Sequence, residues 1–314
     1  MPSRLKPPPL QPKDKILVVA PASAPLDESK LEAGLAHLRA LGYVVETGRS
    51  VYRAHGYLSG DDTVRLEELN AALARPDVKA IFCVRGGYGT LRLLPWIDYA
   101  SARKHPKLIV GYSDITALQL ALYRKVGLTS VAGAMVAVDW GGIDPKSEAQ
   151  FWQVMSGAFP LDLAGPQGEP LHPVRPGKAE GTVLGGNLSL ITRLLATPYL
   201  PPLEGAILFI EEVAEEPYRI DGMFAQLRLS GILDRLGGLV IGSITEWEPT
   251  HDRPSLALED VLDHYLSNLP YPVAGGLLFG HVPEKISIPI GVHGRLAVGQ
   301  RTASFQVLEG VVRT

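Results

Sequence analysis

Short apolar runs alternate with longer segments of helical spacing through the first 126 residues. Ile16 to Ala20 is a compact β-branched run that reads as a strand. From Leu26 to Leu41 the leucines at 31, 35 and 38 share one helical face, and Gly42 stops the helix. Tyr43 to Glu46 reads as the next strand. Asp61 to Ala74 reads as a second helix, with Asp61 or Asp62 as its cap and Leu66, Leu69 and Leu73 inward. Ala80 to Val84 and Leu108 to Gly111 are further strands, and Ile115 to Val126 is a helix. Strands alternating with helices predict βαβ units on a parallel sheet, which takes ligands outside the carboxyl ends of its strands.

The pattern weakens between Asp139 and Arg175. Gly141-Gly142-Ile143-Asp144-Pro145 reads as a turn, and Pro160 to Gly177 is rich in Pro and Gly with little periodicity. We therefore expect an N-terminal α/β domain over residues 1–160, a linker over 161–178 and a C-terminal β/α domain over 179–314. In the second unit, Leu188 to Leu195, Tyr218 to Leu229 and Ser255 to Leu266 read as helices. Ala206 to Ile210 and Gly238 to Ile244 read as strands, and Ile286 to Val312 as β-hairpins.

Composition narrows the function. The 314 residues are 46% hydrophobic and 20% charged, enough to build sizeable cores. A net charge of −3 argues against binding nucleic acid through its phosphates. A single cysteine, Cys83, excludes an internal disulfide and any Cys-rich metal site. The proline- and lysine-rich N-terminus lacks the apolar core of a secretory signal, and no apolar run is long enough for a transmembrane helix. The expectation is a cytoplasmic protein with no membrane partner.

Four positions carry candidate chemistry. Gly111-Tyr112-Ser113-Asp114 joins a strand to a helix, so Ser113 stands above a sheet end with a helix N-terminus behind it. It resembles a nucleophile elbow, but Ile115 stands where G-x-S-x-G has its second glycine, and a serine there also suits a helix cap. Arg85-Gly86-Gly87-Tyr88-Gly89 is a glycine loop that can aim N–H groups at an anion or serve as a tight turn. It matches neither dinucleotide nor P-loop motif, so no cofactor is expected. Glu211-Glu212 closes a buried strand, either as a solvated end or as a carboxylate able to orient a histidine. His281 is framed by Gly280 and Pro283, unlike His37, His55, His105, His172, His251, His264 and His293. Ser, Glu and His together can perform acyl transfer, the imidazole taking the serine proton and the carboxylate fixing its tautomer. Spacing alone does not bring them together.

Val84-Arg85-Gly86-Gly87-Tyr88-Gly89, Gly111-Tyr112-Ser113-Asp114-Ile115-Thr116, Gly185-Gly186-Asn187-Leu188, Leu208-Phe209-Ile210-Glu211-Glu212, Pro217-Tyr218-Arg219-Ile220-Asp221 and Gly280-His281 resemble, in order over nearly the whole chain, the LD-carboxypeptidase (muramoyltetrapeptide carboxypeptidase) family. That family includes peptidases conferring immunity to microcin C-type peptide-nucleotides. The resemblance implies a metal-free serine peptidase with nucleophile Ser113, base His281 and orienting acid Glu211. Its oxyanion hole would use the N–H of Asp114 and of Gly86 or Gly87. It also implies an N-terminal parallel-sheet domain like class I glutamine amidotransferases, a C-terminal mixed β/α domain and a homodimer. Two departures stand out: Pro21-Ala22-Ser23 replaces a Pro-Ser pair, and Val-Pro-Glu-Lys follows His281.

The substrate implied is a small peptide, cleaved at an L,D amide bond in murein tetrapeptide with release of D-Ala. Arg85 is the candidate for its terminal carboxylate, with a sheet-end ion pair as the alternative, and Tyr88 a further substrate contact. An aminoacyl-nucleotide conjugate is the second possibility, for which Trp140 or Trp152 would offer a stacking surface. A non-catalytic binding protein, with Ser113 only capping its helix, and an amidotransferase-like enzyme using Cys83 complete the alternatives.

Overall fold

The computed structural model describes residues 2–156, 159–165, 167–249 and 254–313, so His251 lies outside the described residues, as does Pro166 of the expected linker. Two sheets carry the fold. The first has six strands in the order Ile288–Ile290, Ser130–Ala132, Leu108–Gly111, Val78–Cys83, Lys15–Val19 and Val44–Thr47. All pair in parallel except the first named, which runs antiparallel to its neighbour. Its inner strands are apolar almost throughout, as strands covered on both faces must be. Helices Glu28–Ala40, Asp62–Ala74 and Ile115–Val126 pack on it, within two residues of their expected ends. Asp61 caps the second through a 2.9 Å bond from Val64 N–H.

The second sheet is mixed. Its order is Leu161–Asp162, Ala303–Val307, His293–Val298, Gly177–Asn187, Ile207–Val213, Gly238–Thr245, Val273–Gly275 and His172–Arg175. The three central pairings, from Gly177–Asn187 to Val273–Gly275, are parallel, and His293–Val298 with Ala303–Val307 forms the expected hairpin. Residues 161–178 differ from a plain linker, because Leu161–Asp162 and His172–Arg175 are edge strands. Edge strands pair on one side only, so they tolerate Pro173 and lack an apolar period.

A helix at Pro145–Ser156 was not expected. Its buried face includes Gln150 beside Phe151 and Val154. Gln150 donates to Ser287 C=O at 2.9 Å and accepts from Ser287 N–H at 2.7 Å, so a polar residue occupies a core position and breaks the apolar period. Trp140 is fully buried nearby, its indole N–H bonded to Ala134 C=O at 3.0 Å, and Trp152 stacks on Tyr43. Packing, rather than ligand stacking, is what both tryptophans do here. Cys83 is also fully buried, and burial pushes its thiol well up, against the chemistry of a nucleophilic thiolate.

The C-terminal chain ties the sheets together. Ile288–Ile290 completes the first sheet, while the next residues exchange bonds with Val183 in the second, Gly291 N–H to Val183 C=O and Val183 N–H to Val292 C=O, both 2.8 Å. A second tie runs from Asn187 N–H to Thr116 Oγ1, 3.0 Å. Ser113 and His281 sit beside these ties. Among the described residues, no helix is long and apolar enough to cross a membrane.

Lys107, leading into the strand Leu108–Gly111, is almost wholly buried. Its Nζ donates to His105 C=O at 3.0 Å, and burial pulls its ammonium down to about 8. The ordinary value is 10.5, so between these values the unfolded chain holds more protons and stability rises with pH. Below that window the burial cost is present in full. Lys107→Met is expected to raise Tm by a few degrees near neutral pH, with the gain shrinking toward the upper end of the window. Calorimetry across this range checks it, and a lower Tm at neutral pH contradicts it.

Candidate active site

Ser113 occupies the turn between the strand Leu108–Gly111 and the helix Ile115–Val126, with φ of +62°. A non-glycine residue held there costs about 1–3 kcal/mol, and the surrounding packing must impose it. Asp114 is buried behind it. One oxygen of its carboxylate accepts from Thr90 N–H at 2.8 Å and Thr90 Oγ1 at 2.5 Å, tying the serine turn to the residue after the glycine loop. Burial pushes the Asp114 carboxyl upward, and these two bonds oppose the shift. The cap is thus the whole turn: Ser113 C=O accepts from Thr116 N–H at 3.0 Å, and the serine hydroxyl is left for other partners.

His281 supplies that partner. Its Nε2 lies 3.2 Å from Ser113 Oγ, and its Nδ1 lies 2.8 Å from Glu211 Oε2. A carboxylate facing Nδ1 holds the ring proton there and leaves Nε2 free to accept from the serine. Glu211 is fully buried, and its other oxygen has no partner among the described residues. Gly280 makes the approach possible: at φ +114°, a Cβ there would lie 2.7 Å from Glu211 Oε2 and 2.8 Å from its Cβ.

Both glutamates lie inside the strand Ile207–Val213, rather than one step beyond its end, and successive side chains take opposite faces. Glu212 turns away from His281. It accepts from Asn187 Nδ2 and Ser189 N–H, both at 2.8 Å, and from Val213 N–H at 2.9 Å, anchoring the start of helix Leu188–Arg193. Burial raises its carboxyl.

The glycine loop covers the serine. A Cβ on Gly86 would fall 2.7 Å from Ser113 Cβ, 2.8 Å from Ser113 Oγ and 3.2 Å from Asp114 N. Gly87 instead lies against Ser23, whose hydroxyl accepts from Tyr88 N–H at 3.1 Å and whose N–H donates to Gly86 C=O at 3.2 Å. Ser23, noted only as a departure, therefore supports the loop. Gly86→Ala is expected to lower kcat by about 10²–10³, as losing one oxyanion donor does, because the new methyl displaces the serine or the loop. Steady-state kinetics read it, and an unchanged kcat contradicts that placement.

Arg85 is half-buried and forms no ion pair among the described residues; its one bond is to Ala24 C=O at 3.4 Å. Burial lowers its affinity for a proton without a carboxylate to offset it. Tyr88 is exposed and packs edge-on against Tyr57, 5.4 Å between ring centres, at the rim. Sequence reading missed Tyr112, Asp139 and Lys285, whose only signal was the unusual Lys after His281. Lys285 Nζ lies 3.0 Å from the Tyr112 hydroxyl and 2.5 Å from Asp139 Oδ1, and the Tyr112 ring meets the His281 ring edge-on at 5.2 Å. No group of three His, Cys, Asp or Glu suited to a metal occurs among the described residues.

Comparison with known proteins follows the same lines. Residues 16–133 match the LD-carboxypeptidase N-terminal domain and residues 180–296 the LD-carboxypeptidase C-terminal domain. The chain is 38% identical over 316 residues to a probable murein peptide carboxypeptidase of Bacillus subtilis, covering 98% of this chain and 97% of that one. It is 27% identical over 310 residues to the microcin C7 self-immunity protein MccF of Escherichia coli, covering 90% and 88%. The crystal structure of muramoyltetrapeptide carboxypeptidase from Oxalobacter formigenes superposes with a TM-score of 0.83 at 30% identity, covering 96% of this chain and all of that one. This chain, with its two-domain mixed α/β fold, belongs to the LD-carboxypeptidase family of serine peptidases.

Proposed function

We propose that the protein hydrolyses the L,D amide bond of murein tetrapeptide, releasing terminal D-Ala, by a Ser113–His281–Glu211 triad. One observation carries the reading: Glu211, His281 and Ser113 form a continuous hydrogen-bonded chain ending on a hydroxyl held at φ +62°. Ser113 Oγ attacks the scissile carbonyl while His281 Nε2 takes its proton. The oxyanion is received by the N–H groups of Asp114, at the start of its helix, and of Gly86. The imidazolium, stabilised by Glu211, then protonates the leaving amine, and water releases the acyl group by the same steps in reverse order. Arg85, a cation next to Gly86 without an ion pair among the described residues, takes the terminal carboxylate.

The similarity to the Bacillus subtilis probable murein peptide carboxypeptidase and the Oxalobacter formigenes muramoyltetrapeptide carboxypeptidase supports this substrate. Mass spectrometry of the purified protein incubated with murein tetrapeptide, and separately with an aminoacyl-sulfamoyl adenosine, tests it. Tripeptide and D-Ala are the expected products of the first. Cleavage of the second alone would overturn the substrate in favour of peptide-nucleotide immunity, and cleavage of neither would overturn peptidase function on both.

A further inference from the structure

A cavity of about 390 Å³ lies on the far side of His281. His281 lines it and Ser113 does not, so the imidazole is a wall shared between the serine and this space. Tyr112, Asp139 and Lys285 give it charged and polar lining, and Val138, Ile143 and Pro283 add apolar lining.

The polar lining has donors to spare. Lys285 is nine-tenths buried, and its ammonium has three N–H donors. Two are used, toward Asp139 Oδ1 and the Tyr112 hydroxyl oxygen. The Tyr112 hydroxyl accepts that bond, and its own hydrogen reaches no acceptor among the described residues. Asp139 Oδ2 is occupied by Met135 N–H at 2.8 Å. The third Lys285 N–H and the Tyr112 O–H, on atoms 3.0 Å apart, therefore await one acceptor group. A protein rarely leaves two buried donors idle.

We propose that this cavity is a subsite for a carboxylate carried on the substrate's side chain, held by Lys285 Nζ and the Tyr112 hydroxyl. The inference rests on the peptidase reading above and names a second anionic group that the substrate must carry. A carboxylate matches two donors with two oxygens. Asp139 already offsets part of the lysine charge, so a single negative charge fits better than a phosphate dianion. The apolar lining suits the methylenes leading to that group. The terminal carboxylate is a different one: it hangs beside the scissile bond, where Gly86 adjoins Ser113 and Arg85 precedes it in the loop. His281 stands between Ser113 and this cavity, so a group held there belongs to a longer side chain.

Calorimetric titration of Ser113→Ala protein, which binds without turnover, tests the subsite. Two tetrapeptides serve as probes, alike except that the residue before the terminal D-Ala ends in a carboxylate or in its carboxamide. The carboxylate peptide is expected to bind about ten- to a hundredfold more tightly, the range for a charge-assisted bond. Adding Lys285→Met removes the preference. Tyr112→Phe, which keeps the Lys285–Asp139 pair, reduces it several-fold, and Lys285→Met/Asp139→Leu repeats the test without a stranded carboxylate should the single variant fail to fold. Equal affinity for the two peptides, equal weakening of both by Lys285→Met at unchanged Tm, or binding of neither overturns the proposal. Turnover of the same peptides by the wild-type protein is scored separately. A retained preference without turnover sinks the peptidase reading and leaves the subsite, while turnover without preference does the reverse.

Discussion

Ser113→Ala is expected to lower kcat on murein tetrapeptide by about 10⁴–10⁶ with Tm nearly unchanged, and His281→Ala by a similar factor with a lower Tm, because it strands the buried Glu211 carboxylate. The argument is geometric. Ser113 Oγ is the only atom that the first substitution removes, and its partner is His281 Nε2 at 3.2 Å. The backbone that holds the turn is untouched: Thr116 N–H still bonds to the residue 113 carbonyl, and Asp114 still bonds to Thr90. Folding therefore loses one weak hydrogen bond, about 1 kcal/mol, while chemistry loses its nucleophile. The two substitutions combined should cost little more than either alone, because the groups act as a unit. Turnover of Ser113→Ala at the wild-type rate would remove the triad from consideration.

The second large effect separates two neighbouring glutamates. Glu211→Gln is expected to cost about 10⁴ in kcat, with modest loss of stability. A glutamine at this place can present its NH₂ to His281 Nδ1, which drives the ring proton to Nε2 and turns the base into a donor facing Ser113. Glu212→Gln should do the opposite. Its bonds go to Asn187, Ser189 and Val213, none of them in the triad, so Tm falls while most of kcat survives. Kinetics and calorimetry on both variants check this. A catalytic loss confined to Glu212→Gln would reassign the acid.

Much of this was legible in the residues. Buried parallel strands announce themselves by apolar runs, so Leu108–Gly111 and the helix Ile115–Val126 appear at their expected bounds. The period of two along Ile207–Val213 turns one glutamate alone toward the histidine. The strand's further extent was hidden because glutamates normally mark strand ends, and here both are buried against partners from other elements. The helix Pro145–Ser156 was hidden by Gln150, a core residue satisfied by the distant Ser287. Lys285 and Asp139 were hidden for the same reason: 146 positions apart, they become a pair only when the chain crosses between sheets. Polar groups satisfied by long-range partners leave no local period to read.

The central claim is that Ser113 is a nucleophile activated by His281. Intact-protein mass spectrometry after treatment with a fluorophosphonate, followed by peptide mapping, tests it most directly. Serine oxygen attacks phosphorus, fluoride leaves, and the enzyme gains one phosphonyl group. The account predicts a single adduct on Ser113 in the wild-type protein, and none within the same time in His281→Ala. An adduct on another residue at the same rate, or equal labelling of His281→Ala, would contradict it.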